Sequence, residues 1–342
     1  MSFLGDYHKE LKCQSARGRC LHFADGERCN EIISAHSIQK KGQLGLIAEN
    51  GHVYKIIADL STLKKSGGYL LPKKIGVNKV STFLGFCKHH DNALFKIIDN
   101  LPLEPLAKQI VLYAYRCICR EYFVKENAIA VLDKMMGHPE LGNTKKLFLN
   151  STRIGHSLGL EGLKHHKSFY EKALLASEYE EFEFTYFTSS SRCSLQLSGL
   201  LYPNYDFIGN KLQDLGNWHS PLDLITFFTA PTREGWAFGF GWHASSNKTC
   251  VPFLQSLASY ISSGGKPEDA LLRFSLSCCE NHAIRISWWD TLPEYSKKEA
   301  IERIQLMIHP NIPVPKDYLA SGCEDIADWQ FEHVYTTLQA VA

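Results

Sequence analysis

Three cysteines and one histidine in the first 90 residues have the types and spacing of metal ligands. Cys87 and His90 form a compact C-x2-H pair, and Cys20 and Cys29 lie upstream as a second pair with a wider gap. Zinc prefers four such ligands in a tetrahedron, and proteins often supply them as two pairs that are distant in sequence. Closing the chain around the ion then stabilises a small fold with little hydrophobic core. The pattern therefore predicts a structural Zn2+ bound by Cys20, Cys29, Cys87 and His90.

Neighbouring residues of the same types leave this ligand set open. Cys13 could replace Cys20, and His89 could replace His90. His36 is a third candidate, either as a zinc ligand itself or as a hydrogen-bonded histidine of the core.

The segment between the two ligand pairs carries signals for a strand and a hairpin. Residues 31–34 have the composition of a short strand that leads into His36. Asn50-Gly51 separates two half-apolar runs, 43–49 and 52–59. Because both turn residues tolerate a positive φ, this dipeptide predicts a type I′ hairpin turn.

A loop-like stretch over 60–82 and a helix predicted over 90–99 complete the order of elements. The order of these elements resembles that in the HNH endonucleases. It is a strand ending in histidine, a hairpin, a metal-ligand pair and a helix. In many of those enzymes a ββα-metal module is set in a treble-clef zinc scaffold. The resemblance covers residues 13–100, under a third of the chain, and includes Ala-His-Ser-Ile at 35–38, where an aliphatic residue follows two positions after the histidine.

The resemblance implies that His36 is the general base that activates water. A neutral imidazole with a pKa near about 6.5 can accept a proton from water at neutral pH. It also implies that Asp91 or Asn92, at the start of the last helix, binds a catalytic Mg2+ or Mn2+, and Asp91 offers the hard oxygen that magnesium prefers. The family commonly has Asp or His where this chain has Ala35, and Asn50 corresponds to its middle asparagine, although a hairpin turn explains Asn50 equally well.

Basic residues are concentrated in the same part of the chain. Residues 1–100 carry a net charge of +6 and residues 101–342 a net charge of −5. Each lysine that neutralises a phosphate releases a condensed counterion, so DNA or RNA is the predicted partner. The alternative is that these lysines are solvated loop residues. The candidate nucleic-acid contacts are Lys40, Lys41, Lys64, Lys65, Lys73, Lys74 and Lys79.

Composition predicts an ordinary globular protein. The chain has 342 residues, of which 44% are hydrophobic and 21% charged, so two or three domains are expected. No apolar run approaches membrane-spanning length and the N-terminus lacks a signal-peptide core, so we expect a cytoplasmic protein without a membrane partner. The eleven cysteines are odd in number, and those at 117, 119, 278 and 279 are predicted to be structural.

The rest of the chain predicts helices and then a sheet. Residues 106–125 are apolar on all sides, which is typical of a buried helix, and helical patterns continue to about 180. Helices are also predicted over 250–263 and 296–308. Aromatic and β-branched residues predict strands over 182–188, 193–201, 223–230, 235–242 and 272–278.

The predicted fold class is therefore α+β, in three parts. A small zinc-stabilised module of treble-clef or ββα type is expected over 1–100, and a helical segment over 101–180. Residues 181–342 are expected to form a mostly antiparallel sheet with helices.

Three functions are consistent with these features. The first is an HNH-like, metal-dependent nucleic-acid endonuclease with a C-terminal recognition or sensing domain, in a bacterial defence setting. The second is a non-catalytic zinc-binding protein whose module is a structural or nucleic-acid-binding platform, which Ala35 favours. The third is an enzyme whose site lies in the C-terminal sheet, for which the sequence indicates no residues. The oligomeric state is not indicated.

Overall fold

The predicted α+β fold class is confirmed. A computed structural model describes residues 2–24, 29–57, 66, 69–217, 220–306 and 313–339. Helices dominate the middle of the chain, and an antiparallel sheet with helices packed on it forms the C-terminal part. Within the described residues, no helix combines the length and the apolar character needed to cross a bilayer.

The N-terminal elements form a two-stranded sheet followed by a helix. After helix α1 (Phe3–Ala16), strand β1 (Ile32–His36) pairs antiparallel with strand β4 (Thr82–Cys87). In this register Ile32 lies opposite Cys87, and His36 lies opposite Thr82. Helix α3 (Lys88–Asn100) begins directly after β4, so the start of β1, the end of β4 and the start of the helix meet.

The turn at Asn50-Gly51 is confirmed, but the segment before it is helical. Asn50 and Gly51 have φ of 49° and 72°, the left-handed values that a type I′ turn needs. Residues 40–47 form a π-helical turn (Lys40–Leu44) and the short helix α2 (Gly45–Ile47), where a strand was predicted. A tertiary contact explains the helical conformation, because the side chain of Gln43 is buried and donates a hydrogen bond to the carbonyl of Thr229.

Strand β2 (His52–Ile56) pairs instead with strand β3 (Pro72–Gly76), which falls in the stretch predicted to be a loop. Proline and two lysines at the start of β3 are not typical of a strand, so the sequence did not predict one here. These residues are tolerated because β3 is the edge strand of its sheet within the described residues.

In the described part of the chain, the remaining elements include two long helices, six strands and further helices. The helices are α4 (Ala107–Met135), α5 (Asn143–Ala176), α6 (Asn247–Ser262), α7 (Pro267–Cys278), α8 (Ile286–Thr291) and α9 (Glu294–Gln305). The strands are β5 (Phe182–Ser189), β6 (Leu195–Leu201), β7 (Ile225–Pro231), β8 (Trp236–His243), β9 (His282–Ile284) and β10 (His333–Thr336).

Eight strands of the described chain form one antiparallel sheet in the order β10-β5-β8-β7-β6-β9-β2-β3. The β2–β3 hairpin enters it through Tyr54 of β2, which lies opposite Ile284 of β9. The hairpin between the two metal-ligand pairs is therefore continuous with the C-terminal sheet.

Helix α4 connects the N-terminal elements to this sheet. Every residue from Gln109 to Cys119 is buried, which confirms the prediction of a helix covered on all sides. Successive residues of a strand point to opposite faces of the sheet. Phe228 of β7 therefore packs in the core that contains α4, and its neighbour Phe227 packs in the core that contains α6 and α7. Helix α4 also packs against α1, α3, α5 and β4.

The strand predicted over 272–278 is wrong, because this stretch belongs to helix α7. Residues 272–277 are buried, and a short buried run does not by its composition separate a buried strand from a buried helix. Pro267 in the first turn, followed by Glu268 and Asp269, is a helix-start signal that decides between them.

The cysteines outside the N-terminal part are free thiols within the fold. Cys117, Cys119 and Cys279 are buried and Cys278 is half-buried. The Sγ atom of Cys117 lies 3.0 Å from the hydroxyl of Ser198 on β6. These contacts agree with the prediction that these cysteines are structural.

Gly241 of β8 allows α4 to pack closely on the sheet. A Cβ atom at this position would lie 2.6 Å from Cγ2 of Ile110. We expect Gly241→Ala to lower the free energy of unfolding by about 1–3 kcal/mol, because the core would be overpacked. Urea denaturation measures this change, with Gly137→Ala as the control, since Gly137 has no atom within 4 Å of such a Cβ. An equal loss in an Ile110→Ala background would contradict the proposed contact, because removing Cγ2 should relieve it.

A candidate metal centre and a neighbouring histidine

The first pair of sequence-predicted ligands lies on segments that run beside β4. The amide groups on either side of Cys20 donate to two backbone carbonyl groups of β4, at 3.0 and 2.9 Å. Cys29 precedes β1, and the next residue, Asn30, accepts a hydrogen bond from the amide of His89 at 3.2 Å through Oδ1. Both cysteines are thereby tied to the junction of β4 and α3.

The second pair lies at this junction itself. Cys87 ends β4 and is the N-cap residue of α3, where its Sγ accepts from the amide of His90 at 3.5 Å. Both residues are buried. The C-x2-H spacing therefore places the thiol and the imidazole on the same side of the first helical turn.

The four side chains meet in one Cys3His cluster. The Nδ1 atom of His90 lies 3.4 Å from Sγ of Cys20, 3.6 Å from Sγ of Cys29 and 3.3 Å from Sγ of Cys87. All four ligand atoms lie within 4.8 Å of one another. A tetrahedral zinc ion with bonds of about 2.0–2.3 Å needs ligand separations of about 3.5–3.8 Å. The cluster therefore has the donors and the size to hold a zinc ion.

The cysteines of the cluster differ in how readily they lose a proton. Burial raises the pKa of Cys20 to about 11. Burial also acts to raise the pKa of Cys87, but the backbone amides of His90 and Asn30 and the thiols of the other two cysteines outweigh it and lower the pKa. Of these two thiols, Cys87 at the helix start is therefore the better prepared to become the thiolate that a metal requires.

The alternative ligands lie outside this cluster. Among the described residues, Cys13 is exposed on α1 and His89 is exposed at the start of α3, and neither belongs to the four-residue group. The imidazole of His36 is also separate from it.

His22 is a neighbour of the cluster that the sequence analysis missed. Its ring stacks on that of His90, with a centroid distance of 3.9 Å and an interplanar angle of 3°. Its Nδ1 accepts from the amide of Ala24 at 3.0 Å. The stacked ring of His22 holds the ring of His90 from one side. The sequence signal for this neighbour was the Cys-x-His spacing of Cys20 and His22.

His36 ends β1 with a defined tautomer. Its Nε2 lies 2.9 Å from the carbonyl oxygen of Val77. Because a carbonyl oxygen only accepts hydrogen bonds, Nε2 carries the proton and Nδ1 is left with a lone pair. Burial lowers the pKa of His36, the charges of Lys40 and Arg116 lower it further, and the hydrogen bond to Val77 opposes them. The imidazole is therefore neutral at pH 7 and can accept a proton at Nδ1.

An ion pair between a buried arginine and a half-buried aspartate lies in the surroundings of His36. Arg116 on α4 donates two hydrogen bonds to the carboxylate of Asp99 on α3, at 2.8 and 2.9 Å. The guanidinium also stacks on Phe95, with 4.1 Å to the ring centroid. Both His36 and Asp91 interact electrostatically with this pair. The ion pair therefore acts on the pKa of both groups.

The predicted helix-start residues differ in exposure. Asp91 is half-buried, and burial raises the pKa of its carboxyl group, with the Arg116 charge acting in the opposite direction. Asn92 is exposed. Asp91 is therefore the less exposed of the two candidates.

Sequence reasoning did not find Arg116 or Asp99. The two residues lie 17 positions apart on different helices, so no local spacing connects them. One signal was present, because a charged residue within the apolar run of α4 must be paired if it is buried.

The segment after His36 is fixed by buried polar contacts. The hydroxyls of Ser37 and Ser81 lie 2.7 Å apart, and Asn281 donates to Ser37 Oγ at 2.8 Å. Gln39 donates to the backbone carbonyl of Asp99 at 2.7 Å. These bonds tie His36 to α3 and to the C-terminal sheet.

The predicted nucleic-acid contacts are spread over three elements. Lys40 and Lys41 are exposed on the π-helical turn after β1. Lys74 is exposed and Lys73 half-buried on β3, and Lys79 is exposed in the β3–β4 turn. Lys64 and Lys65 lie outside the described residues.

Comparison with known proteins gives no relative for this arrangement. No protein-family model, no curated protein and no solved structure matches the chain.

Proposed function

We propose that the chain is an HNH-like, metal-dependent nucleic-acid endonuclease in which zinc at the Cys3His cluster stabilises the module and His36 is the general base. One observation carries the proposal. The Nε2–H of His36 is committed to the carbonyl of Val77, so that a neutral imidazole keeps its Nδ1 lone pair in the field of the Arg116–Asp99 pair.

Phosphodiester hydrolysis needs a base for water and positive charge near the phosphate. His36 supplies the base, since Nδ1 can accept a proton from water and burial keeps the ring neutral. Asp91 supplies a carboxylate at the helix start that would hold Mg2+ or Mn2+ together with a substrate phosphate. When bound, such an ion stabilises the charge that develops on the departing 3′ oxygen.

The sequential order of the elements supports the same proposal. Strand β1 ends at His36, pairs with β4, and β4 leads through the ligand pair directly into α3. This is the ββα order to which the sequence was compared. Lys40 and Lys41 follow His36 on the surface and would contact the phosphate backbone. A recognition or sensing role for the C-terminal sheet, and a bacterial defence setting, are part of the same proposal.

A non-catalytic zinc platform is the second candidate, and Ala35 favours it. Ala35 is 4% exposed and has no ligand atom, so the position before His36 cannot bind a metal. In this alternative His36 serves only to hold the β3–β4 turn through Val77. Both candidates require the zinc site, and they differ in whether the protein cleaves nucleic acid.

Asp91→Asn tests the catalytic proposal while keeping the size of the side chain. We expect plasmid or RNA cleavage in Mg2+ or Mn2+ to fall by about tenfold or more, because the substitution removes the charge that would hold the ion. Zinc content should stay at one per chain, as measured by native mass spectrometry. Asp214→Asn is the matched control, since Asp214 is 65% exposed and lies on the loop after β6. Equal cleavage rates in Asp91→Asn and the wild type would contradict a role for Asp91.

A further inference from the structure

Strand β10 forms one edge of the large sheet within the described residues. It pairs antiparallel with β5, and the amides of Glu332 and Thr337, at its two ends, donate to carbonyl groups of β5 at 2.9 and 3.0 Å. Alternate backbone groups of an antiparallel strand point to opposite sides, so part of the backbone of β10 points away from β5. All residues of β10 are exposed. Such an edge is a template for pairing with another strand.

A groove of about 1220 Å3 lies between β10 and helix α6 on one face of this edge. Its volume exceeds the range of about 300–1,000 Å3 that is typical of small-molecule sites. Val334 and Thr336 of β10 line the groove, as do their partners on β5, Phe187 and Thr185. None of the described residues that line it is charged. The groove therefore suits the uncharged, apolar side chains of a longer partner.

The opposite face of the same edge is acidic. His333 and Tyr335 of β10 line a cavity of about 230 Å3 there, and the ring of Tyr335 stacks on that of Tyr186, with a centroid distance of 4.9 Å. Arg233 also lines this cavity, together with three carboxylates, those of Glu104, Glu234 and Glu332. Because Arg233 pairs with Glu104, two carboxylates remain without a basic partner in the described part of the chain. Carboxylates beside an exposed aromatic ring favour a basic side chain as partner.

We propose that the free edge of β10 binds an extended peptide in which apolar and basic side chains alternate, and that this peptide adds to the sheet as a further strand. Main-chain hydrogen bonds to β10 supply affinity, and the two faces of the edge supply specificity. Successive side chains of a strand point to opposite faces, so every second one enters the apolar groove and the others meet the carboxylates. The inference is independent of the proposed nuclease function, because it uses a different part of the molecule.

A second copy of the chain is a less suitable occupant of this edge. Residues 330–339 contain Glu332 and no lysine or arginine, so a second β10 lacks the basic side chains that the acidic face favours. Antiparallel pairing of two β10 strands would also continue the sheet with the acidic faces of both copies side by side. Like charges in such a contact oppose association.

A capped hexapeptide in which valine and lysine alternate is the probe for this edge. Fluorescence anisotropy with the full chain should show saturable binding. A peptide with glutamate in place of lysine loses the charge complementarity, and one with serine in place of valine loses the apolar side chains. Both should bind at least about tenfold more weakly.

Methylated peptides test whether the probe pairs as a strand. The amides of the valines are methylated in one peptide, and those of the lysines in another. Because only one alternate set of amides faces β10, at least one of the two peptides should lose binding.

Two variants test the two faces of the edge. Val334→Gln makes the groove more polar at a side chain that is 54% exposed, and Glu234→Gln removes an exposed charge from the acidic face. Each should weaken binding by about fivefold or more, with an unchanged melting temperature. Leu147→Gln and Glu161→Gln are the matched controls, because both residues are exposed on α5 and neither contributes to the described lining of either cavity. Both controls should bind with wild-type affinity.

The proposal fails if the alternating peptide does not bind, if the glutamate or the serine peptide binds equally well, or if both methylated peptides bind like the parent. It also fails if both edge variants keep wild-type affinity. Sedimentation velocity without peptide tests the other occupant. We expect Val334→Gln to leave the oligomeric state unchanged, whereas a dimer that dissociates in this variant would assign the edge to a second copy and overturn the proposal.

Discussion

Replacing Cys87 by serine is expected to remove zinc from the protein and to unfold the region in which β1, β4 and α3 pack together. Cys87 is the buried N-cap residue of α3 and one of the four clustered ligands, so its loss breaks both the metal site and the helix start. Structural zinc sites in small modules contribute about 10–16 kcal/mol of apparent binding free energy, which is coupled to folding. Native mass spectrometry measures zinc per chain, and hydrogen exchange measures the protection of the three elements.

Cys13→Ser is the matched control for this experiment, because Cys13 is an exposed thiol on α1 outside the cluster. It should keep one zinc per chain and normal protection. Full zinc content in Cys87→Ser would contradict the Cys3His site. Zinc loss in Cys13→Ser would instead restore the alternative ligand set that the sequence left open.

Replacing His36 by glutamine is expected to lower the cleavage rate by about 100- to 10,000-fold, the usual contribution of a general base. Glutamine has an amide that can donate to the carbonyl of Val77, but it cannot accept a proton from water. Folding and zinc content should therefore be preserved while cleavage is lost. Single-turnover cleavage of a labelled duplex and of a labelled RNA measures the rate.

His52→Gln is the control for His36→Gln, because His52 also contacts a backbone carbonyl, that of Asn50, at 2.8 Å. It should cleave at the wild-type rate. Zinc loss or insolubility in His36→Gln, with no cleavage by the wild type, would support the platform alternative. A His36→Gln variant that cleaves normally would exclude His36 as the base.

The pH dependence of cleavage should report on the same imidazole. Burial lowers the pKa of His36, so its neutral form persists below the ordinary pKa of histidine. Since the base must be neutral, activity should be constant near neutral pH and should fall only as pH drops through this lowered pKa. A pH profile of kcat/KM measures it. An acid limb centred above about 6.5, the ordinary value, would contradict the assignment.

Local sequence signals predicted those features that depend on local chemistry. The positive φ values of Asn50 and Gly51 follow from residue type. The C-x2-H spacing of Cys87 and His90 placed both ligands on one helical turn. The buried character of α4 followed from its apolar residues on all sides. Binding of zinc itself stays a prediction.

The features that were missed depend on tertiary context. The segment before Asn50 is helical because Gln43 is held by the sheet carbonyl of Thr229, which is 186 residues away in sequence. The ion pair of Arg116 and Asp99 joins two helices and has no sequence spacing to reveal it. The division into three domains also stays a prediction.

The most direct test of the account is cleavage by zinc-loaded wild-type protein, with zinc measured on the same sample. Supercoiled plasmid and single-stranded RNA would be incubated with Mg2+, with Mn2+ and with neither. The account predicts one zinc per chain and cleavage of at least one substrate only when a divalent ion is added. One zinc per chain without cleavage of either substrate would contradict the nuclease and favour the zinc platform.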